Sequence, residues 1–261
     1  MLLLTKWYFD CVSVDGDAFL GYWAKLCWGP VTIPYAASVF RAAAGPSRER
    51  GGLRVCPPPA IHGGTLEWDC RTLGVHGRWR ASQPPCQLTL VDDADGSITW
   101  RCHVPAAAVR VQLADGRSLA GLGYAEELTL SVAPSRLPFD ELHWGRFVSD
   151  RDSLTWIQWH GRTPRQWVIQ NGVAVSGATI EENEVRLAGD HGVLEIHDTV
   201  TLRDGPLAST ALRTIPGTRY WLLRGIEHAR ETKWLSAGTL TTATHASSGW
   251  VIHEVVHVRP V

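Results

Sequence analysis

Apolar and polar residues alternate along nearly the whole chain, and short turn sequences interrupt the alternation at regular intervals. The first alternating run extends from Lys6 to Val14 and ends at the turn Asp15–Gly16–Asp17. The second extends from Ala18 to Trp28 and ends at Gly29–Pro30. A period of two residues is typical of β-strands with one face buried, and turns at this spacing are typical of antiparallel sheets. The sequence therefore predicts an antiparallel, all-β protein.

The same pattern continues to the C-terminus and predicts about fifteen short strands in total. The further predicted strands are Thr65–Arg71, Gly77–Ser82, Gln87–Val91, Ile98–Val104, Ala108–Leu113, Gly121–Val132, Trp144–Ser149, Leu154–His160, Gln166–Gln170, Glu184–Leu187, Gly192–Leu202, Arg219–Ile226, Trp234–Thr244 and Trp250–Val258. Two segments differ: PYAASVFRAAAG, residues 34–45, predicts a short helix, and residues 45–64 predict a long surface loop. Two β-barrels would remove most exposed strand edges, and we expect domains at 1–133 and 134–261.

Charge and length exclude several classes of protein. The 261 residues include 25 Lys and Arg and 26 Asp and Glu, a net charge of −1. A nearly neutral chain is poorly suited to an electrostatic grip on nucleic acid or an anionic membrane. No apolar run approaches the roughly 18 residues of a membrane span, and the opening MLLLTKW is short for a signal peptide. We therefore expect a cytoplasmic protein with no nucleic-acid partner and no integral membrane span.

The aromatic composition is unusual, because the chain contains 13 Trp but only 5 Tyr, 5 Phe and 1 Met. Tryptophan provides large, rigid apolar surfaces, so these residues either pack several sheet faces or line a pocket for a large apolar ligand. The six cysteines, at positions 11, 27, 56, 70, 86 and 102, form no CxxC pair and lie at least 14 residues apart. That spacing fits no metal-binding knuckle, and we predict free, mostly buried thiols.

The segment HEVVH, residues 253–257, has the spacing of a zinc-binding helix. Its surroundings, WVIHEVVHV, instead predict a strand, in which positions four apart are separated by about 13 Å. One ion cannot bridge that distance, so we favour a closing strand with two histidines on its polar face. DDADGS, residues 92–97, predicts a hairpin turn rather than a calcium loop. We expect neither a metal nor another cofactor.

Alternation places one acid of GYAEELTLSV, residues 123–132, on an apolar face. Glu126 shares that face with Tyr124 and Leu128, whereas Glu127 falls among polar neighbours. An apolar setting favours the neutral carboxyl group, which can donate a proton. The alternative is a structural ion pair, for instance with Arg146. Asp198 is a similar intruder among apolar residues in VLEIHDTVTL, and a structural role is the simpler interpretation there.

These segments together resemble the carotenoid 1,2-hydratase (hydroxyneurosporene synthase) family over most of residues 6–160. The similarity includes Trp7, Tyr8 and Asp10, the turn Ser13–Gly16 and the pair Pro34–Tyr35. It continues through ITWRCHV, GLGYAEELTL and LHWGRF. The resemblance implies two lipocalin-like β-barrel domains. It also implies acid-catalysed addition of water to an isoprenoid double bond, or the cyclase and Diels-Alderase chemistry of relatives.

The family's Tyr-x-Asp motif corresponds to Tyr124-x-Glu126, and its His-x-Trp motif corresponds to Ile98-x-Trp100, without the histidine. That departure favours protonating or folding a substrate that cyclises over activating a water. We therefore predict a cofactor-independent enzyme that encloses a small apolar polyene, isoprenoid or polyketide. Its expected residues are Glu126 as proton donor, Tyr124 to orient it, Trp100 and Trp144 as pocket walls, Arg146 to tune Glu126 or hold a polar substrate end, and Tyr8 and Asp10 for substrate binding. The alternatives are a non-catalytic carrier of a lipid or pigment and, through HEVVH, a zinc hydrolase.

Overall fold

The computed structural model describes residues 2–189, 191–207 and 228–258, and these residues are almost entirely β-strand. Two compact units are present: Met1–Leu137 with Pro206–His228, and Pro138–Gly205 with Ala229–Val261. The sequence predicts a domain boundary at residue 133, and this stays a prediction. Contacts between residues divide the chain into the two units after Leu137. No helix in the described part of the chain has the length and hydropathy needed to cross a membrane.

The first unit is built on one antiparallel sheet. Its hydrogen-bonded order is β4-β3-β2-β1-β10-β9-β7-β6-β5, and β8 also pairs with β9. The strands are β1 Leu2–Val12, β2 Ala18–Trp28, β3 Val31–Arg41, β4 Ser47–Gly52, β5 Ala60–His62, β6 Thr65–Cys70, β7 Val75–Ala81, β8 Cys86–Asp93, β9 Gly96–Leu113 and β10 Ser118–Leu130. One face contributes an apolar core that includes Phe9, Phe19, Trp68 and Trp79. Phe9 makes edge contacts with both tryptophans, at ring-centroid distances of 4.6 and 5.0 Å.

The second unit is built on a nine-stranded antiparallel sheet, ordered β14-β13-β12-β11-β19-β18-β17-β16-β15. The strands are β11 Glu141–Ser149, β12 Ser153–His160, β13 Arg165–Gln170, β14 Val173–Val175, β15 Thr179–Glu181, β16 Glu184–Arg186, β17 Val193–Pro206, β18 Arg230–Thr241 and β19 Ala246–His257. Phe147, Leu154, Trp156 and Val251 belong to its apolar core. The prediction of an all-β, lipocalin-like fold is therefore confirmed.

The predicted helix at residues 34–45 is wrong, because residues 34–41 lie in β3 and residues 42–45 form the turn that follows it. Its alanines suit a helix, but Ala36 and Ala37 are completely buried between β2 and β4. Pro34 is tolerated because β4 pairs only with residues 36–41, so at Pro34 the strand has a neighbour on one side alone. Tertiary pairing has overridden local helix propensity.

Two other boundaries also differ from the predictions. The predicted loop 45–64 contains the short strands β4 and β5. The strands predicted at 98–104 and 108–113 are one strand, β9, which continues through Pro105. The strand predicted at Arg219–Ile226 lies outside the described residues. All six cysteines are described and free, and four of them are buried, as predicted.

Candidate functional site

Two neighbouring strands of the first unit each present a tyrosine and an acid to the same face. Tyr8 and Asp10 lie on β1, and Tyr124 and Glu126 lie on β10, so each pair is spaced by the two-residue period of a strand. Antiparallel pairing places Tyr8 opposite Glu126 and Asp10 opposite Tyr124. The sheet thus brings together four predicted site residues from chain positions more than a hundred residues apart.

Within each pair the tyrosine hydroxyl donates to the acid on its own strand. The Tyr8 hydroxyl lies 2.9 Å from Asp10 Oδ2, and the Tyr124 hydroxyl lies 2.7 Å from Glu126 Oε2. Trp100, on β9, donates its indole Nε1 to the same Glu126 oxygen at 2.5 Å. We call Tyr8, Asp10, Trp100, Tyr124 and Glu126 the acid cluster.

The acid cluster is largely removed from solvent. Asp10 and Tyr124 are completely buried, Tyr8 and Trp100 are each 2% exposed, and Glu126 is half-buried. Burial raises the pKa of Tyr124 well above its usual range, and the neighbouring Cys102 and Glu126 raise it further. Tyr124 therefore keeps its proton at neutral pH and acts as a hydrogen-bond donor. Since an indole N–H can only donate, Glu126 Oε2 is held between two fixed donors.

The chain is locally irregular at this point, because the register between β10 and β9 shifts at Gly123/Ala125 and again at Ala125/Glu126. Such bulges re-aim side chains and are frequent next to active sites. Gly123 is also required here, since a Cβ atom at this position would lie 2.1 Å from the Asp10 carbonyl oxygen. The close approach of β1 and β10 therefore depends on a glycine beside Tyr124.

Glu127 lies among polar side chains, as the sequence predicts, since Thr129 donates to its Oε1 at 3.3 Å and Arg101 Nη1 lies 3.8 Å from its Oε2. It is directly opposite Trp7, a residue of the apolar core, and its Oε2 lies 3.0 Å from His103 Nε2. The ring of His103 stacks on Trp7 with a centroid distance of 4.6 Å. The hydrogen bond with His103 lowers the pKa of Glu127, against the opposing effect of burial. Glu127 is therefore an ion-paired acid on the opposite face from Glu126.

Trp144 and Arg146, the other two predicted site residues, belong to β11 in the second unit. Arg146 is buried, and its Nη1 donates to the Trp250 carbonyl oxygen at 2.6 Å. Pairing of Arg146 with Glu126 links residues of different units and stays a prediction.

Trp144 does line a cavity, and this cavity belongs to the second unit. Its volume is about 500 Å³, and its apolar walls include Trp144, Trp156 and Trp234. Gly145 leaves room for Trp156, because a Cβ atom at position 145 would lie 2.1 Å from the indole ring. The cavity volume lies within the range of about 300–1,000 Å³ that is common for small-molecule sites.

The polar part of the same cavity is lined by histidines and acids. They are Glu141, His143, His160, Glu181, Glu182, His253, Glu254 and His257. The segment HEVVH is a strand, β19, as predicted. His253 stacks on Trp234 and lies 3.1 Å from the Ser236 hydroxyl. Burial, and secondarily the electrostatic effect of the nearby His143 ring, lowers the pKa of His253 to about 4, so the His253 imidazole is neutral at pH 7.

Asp198 is not buried among apolar residues, contrary to the prediction. Its side chain is 83% exposed and lies 2.9 Å from His197. Its φ of +54° breaks the regular alternation of β17 at this residue. Leu194 and Ile196 before it are buried as expected, so a local left-handed residue explains the failed prediction.

Sequence reasoning missed the grouping of Glu141, His143 and His160. The spacing of Glu141 and His143 does place them on one strand face, which was a usable indication. His160 joins this group only through the pairing of β11 with β12, and no local sequence pattern indicates the register of that pairing.

Comparisons with known proteins identify solved structures that have a similar fold. No family model matches the chain, and no curated protein matches it in sequence. Crystal structures do match. CghA has a TM-score of 0.56 at 12% identity, covering 98% of this chain and 88% of that one. A putative AttH from Nitrosomonas europaea has a TM-score of 0.59 at 12% identity, covering 99% and 93%.

Kievitone hydratase from Nectria haematococca has a TM-score of 0.56 at 7% identity, covering 97% of this chain and 88% of that one. At these identities the similarity concerns the fold, and it extends over nearly the whole of each protein. The chain therefore shares the all-β, lipocalin-like fold of CghA, the putative AttH and kievitone hydratase.

Proposed function

We propose that this protein is a cofactor-independent enzyme that encloses an apolar polyene, isoprenoid or polyketide, and promotes its cyclisation or hydration by acid assistance. The supporting observation is Glu126, whose Oε2 accepts hydrogen bonds from Tyr124 and Trp100 on a buried sheet face. The fold adds support. One protein that shares it is a hydratase by name, and CghA has been crystallised with Sch210972.

The two donors suit an acid that loses its proton during the reaction. With Tyr124 and Trp100 both on Oε2, we assign the transferable proton to Oε1. When it moves to a substrate double bond, negative charge develops on the carboxylate, and both hydrogen bonds strengthen. Hydrogen bonds to charged groups contribute about 1.5–3 kcal/mol each, and a gain made only as charge develops lowers the barrier.

Cyclisation is the better-supported outcome of that proton transfer. A hydratase must also position and activate a water, and the histidine that the resemblance leads us to expect is replaced by Ile98. The carbocation formed on the substrate is then captured by another double bond of the same chain, which closes the ring, and the resulting cation loses a proton to the Glu126 carboxylate to give a neutral alkene. The tryptophan walls of the predicted pocket contribute by holding the substrate chain in a folded, reactive shape, and tryptophan faces also attract cations.

The decisive variant is Glu126→Gln, which keeps the shape of the side chain and removes the transferable proton. Its matched control is Glu127→Gln, the adjacent residue on the opposite face. With a panel of linear isoprenoid and polyketide polyenes, we expect Glu126→Gln to lose about 10²- to 10⁴-fold in turnover. We expect the control to retain activity. Full turnover by Glu126→Gln would remove it as the acid.

Isotopes separate the three possible reactions in the same assay. Product formed in D₂O by acid assistance contains a deuterium from the solvent, whereas a purely pericyclic cyclisation adds none. Product formed in H₂¹⁸O contains the heavy oxygen only when water is added. Mass spectrometry of one product in both solvents therefore distinguishes acid-assisted cyclisation, hydration and simple substrate folding.

The alternative function is a non-catalytic carrier of a lipid or pigment. The observation in its favour is the second unit's cavity, which has tryptophan walls and the volume of a ligand site. Titration of the protein with polyenes, followed through tryptophan fluorescence, measures binding directly. Tight binding with the ligand recovered unchanged favours the carrier over the enzyme.

A further inference from the structure

Three strands of the second unit converge on one carboxylate. Glu141, on β11, is directly opposite His160 on β12 and directly opposite His257 on β19. His143 lies two residues further along β11 and so projects from the same face. All four residues line the cavity of the second unit. We call them the histidine cluster.

The atoms of this cluster are close enough to share an ion. One ligand atom each from Glu141, His143 and His160 lies within 4.8 Å of the other two. His143 Nε2 is 2.5 Å from Glu141 Oε1, and the rings of His143 and His160 have a centroid distance of 4.7 Å. Ligand bonds to zinc are about 2.0–2.2 Å long. Side-chain movements of about 1 Å would bring three such atoms to one centre.

One nitrogen of the cluster has no protein partner in the described part of the chain. His160 Nε2 is buried and forms no hydrogen bond there. Buried polar atoms are almost always satisfied, and leaving one unsatisfied costs about 1–3 kcal/mol. An imidazole lone pair without a donor, next to a carboxylate and a second imidazole, suits a bound cation.

We infer that the histidine cluster binds a divalent transition-metal ion, with zinc as the best match, through Glu141, His143 and His160. Two imidazoles and one carboxylate form an established zinc ligand set, whereas magnesium and calcium favour oxygen ligands throughout. Three protein ligands leave a fourth position, which here faces the cavity and takes a water. This site is additional to the acid cluster and departs from the expectation of no metal.

His257 is the outer partner of the site. Its Nδ1 lies 2.8 Å from Glu141 Oε2, although the two atoms are not aligned for a regular hydrogen bond. A group in this position orients the ligand carboxylate, and such outer contacts typically contribute 10- to 100-fold in metal affinity. The second histidine of HEVVH thus supports a ligand on another strand.

The other histidine of HEVVH takes no part. Positions 253 and 257 are four apart in a strand, so about 13 Å separates them along β19. His253 already contacts the Ser236 hydroxyl and the Trp234 ring. One ion therefore cannot bind both histidines of HEVVH, and the site arises instead from pairing between strands.

Metal content is the direct test. The 261-residue chain, purified without chelators, is analysed by inductively coupled plasma mass spectrometry. It is then stripped with EDTA and titrated with Co²⁺ and with Zn²⁺. We expect one ion per chain, and a visible Co²⁺ absorption spectrum typical of four-coordinate nitrogen and oxygen ligation that Zn²⁺ abolishes. A stripped protein that binds neither ion would overturn the proposal.

Variants locate the ion. We expect His160→Ala and His143→Ala each to weaken Zn²⁺ binding by at least tenfold, and His257→Ala to weaken it less. The control is His197→Ala in the same unit, because His197 also lies beside a carboxylate, that of Asp198, but is exposed. Binding that is unchanged in His160→Ala, or lost equally in the control, contradicts the assignment.

X-ray absorption on the zinc-loaded wild-type protein keeps the test independent of how the variants fold. We expect two imidazoles and no sulfur in the first shell, and sulfur ligation would overturn the proposal. The outcome is also separate from the proposed catalytic role of Glu126, since every readout here is metal binding and none is turnover.

Discussion

The acid cluster of the first unit and the histidine cluster of the second are built in similar ways, but they favour charges of opposite sign. Each has a glutamate on a central strand, with partners from its own and neighbouring strands. Glu126 receives donors that keep their protons, Tyr124 and Trp100. Glu141 lies among imidazoles, which also offer lone pairs. Fixed donors stabilise a negative charge, whereas lone pairs beside a carboxylate attract a cation, so the partners determine what each glutamate can do.

The largest effect that we expect concerns the backbone beneath the acid cluster. In Gly123→Ala the new methyl group would meet the Asp10 carbonyl oxygen at 2.1 Å and a Val109 methyl at 2.8 Å. A carbonyl in a paired strand cannot move aside cheaply, so we expect a loss of about 3 kcal/mol or more in the free energy of unfolding. Urea denaturation measures it. Gly45→Ala is the control, because its nearest neighbour is 3.6 Å away, and equal stability of the two variants contradicts the argument.

Removing one donor from Glu126 should cost less. Tyr124→Phe removes the 2.7 Å hydrogen bond to Oε2, and we expect a loss of about 1–3 kcal/mol in the free energy of unfolding. Trp100→Phe removes the other donor and some ring volume as well, so its loss should be larger. Repeating Tyr124→Phe in a Glu126→Leu background isolates the hydrogen bond. A loss that is the same in both backgrounds would assign it to packing.

Local pattern was enough to predict much of the fold. β2 occupies residues 18–28 as predicted, since turn residues mark both its ends and its alternation is regular. β3 was mistaken for a helix because its alanines have no strand preference of their own, and only burial between two strands specifies it. The predicted burial of Asp198 is wrong for a related reason. Asp198 has a left-handed backbone conformation that shifts the alternation of β17, and no local sequence pattern indicates this conformation.

The two clusters differ in how much of each was predictable. Alternation puts Tyr124 and Glu126 on one face, and the family resemblance singles out Tyr8, Asp10 and Trp100, so the sequence predicts every member of the acid cluster. That they meet depends on the pairing of β1 with β10, which is long-range. The histidine cluster needs the registers of three strands at once, and no resemblance indicated its residues.

Another carboxylate, the buried Asp152 of the second unit, tests whether hydrogen-bond donors alone define a site of the first type. It accepts hydrogen bonds from Ser247, His245 and Asn171, at 2.6, 2.8 and 3.2 Å. Burial alone would raise the pKa of Asp152, but these hydrogen bonds outweigh it and lower the pKa below its ordinary value.

A lowered folded-state pKa means that this stabilisation is complete above the unfolded pKa of about 4 and is lost as the pH falls through the folded value. Asp152→Asn should therefore flatten the acid side of the stability curve below about pH 4. We expect little change in its shape between pH 5 and 7. Thermal denaturation at pH values from below 4 up to 7 measures how stability depends on pH. A slope below pH 4 that is unchanged in Asp152→Asn would contradict the assigned hydrogen bonds.

The smallest effect that we expect is at His160, and it most sharply separates the two clusters. In EDTA, His160→Ala removes a buried nitrogen that has no partner within the described residues, and this gain offsets the lost ring packing. We therefore expect the free energy of unfolding to change by no more than about 0.5 kcal/mol, in contrast to the clear loss in Tyr124→Phe.

Adding Zn²⁺ should then raise the unfolding free energy of the wild type, because an ion that binds only the folded state stabilises it. The unfolding free energy of His160→Ala should stay nearly unchanged. A large loss in EDTA, with no response of the wild type to zinc, would show that His160 belongs to a closed structural network like that around Glu126.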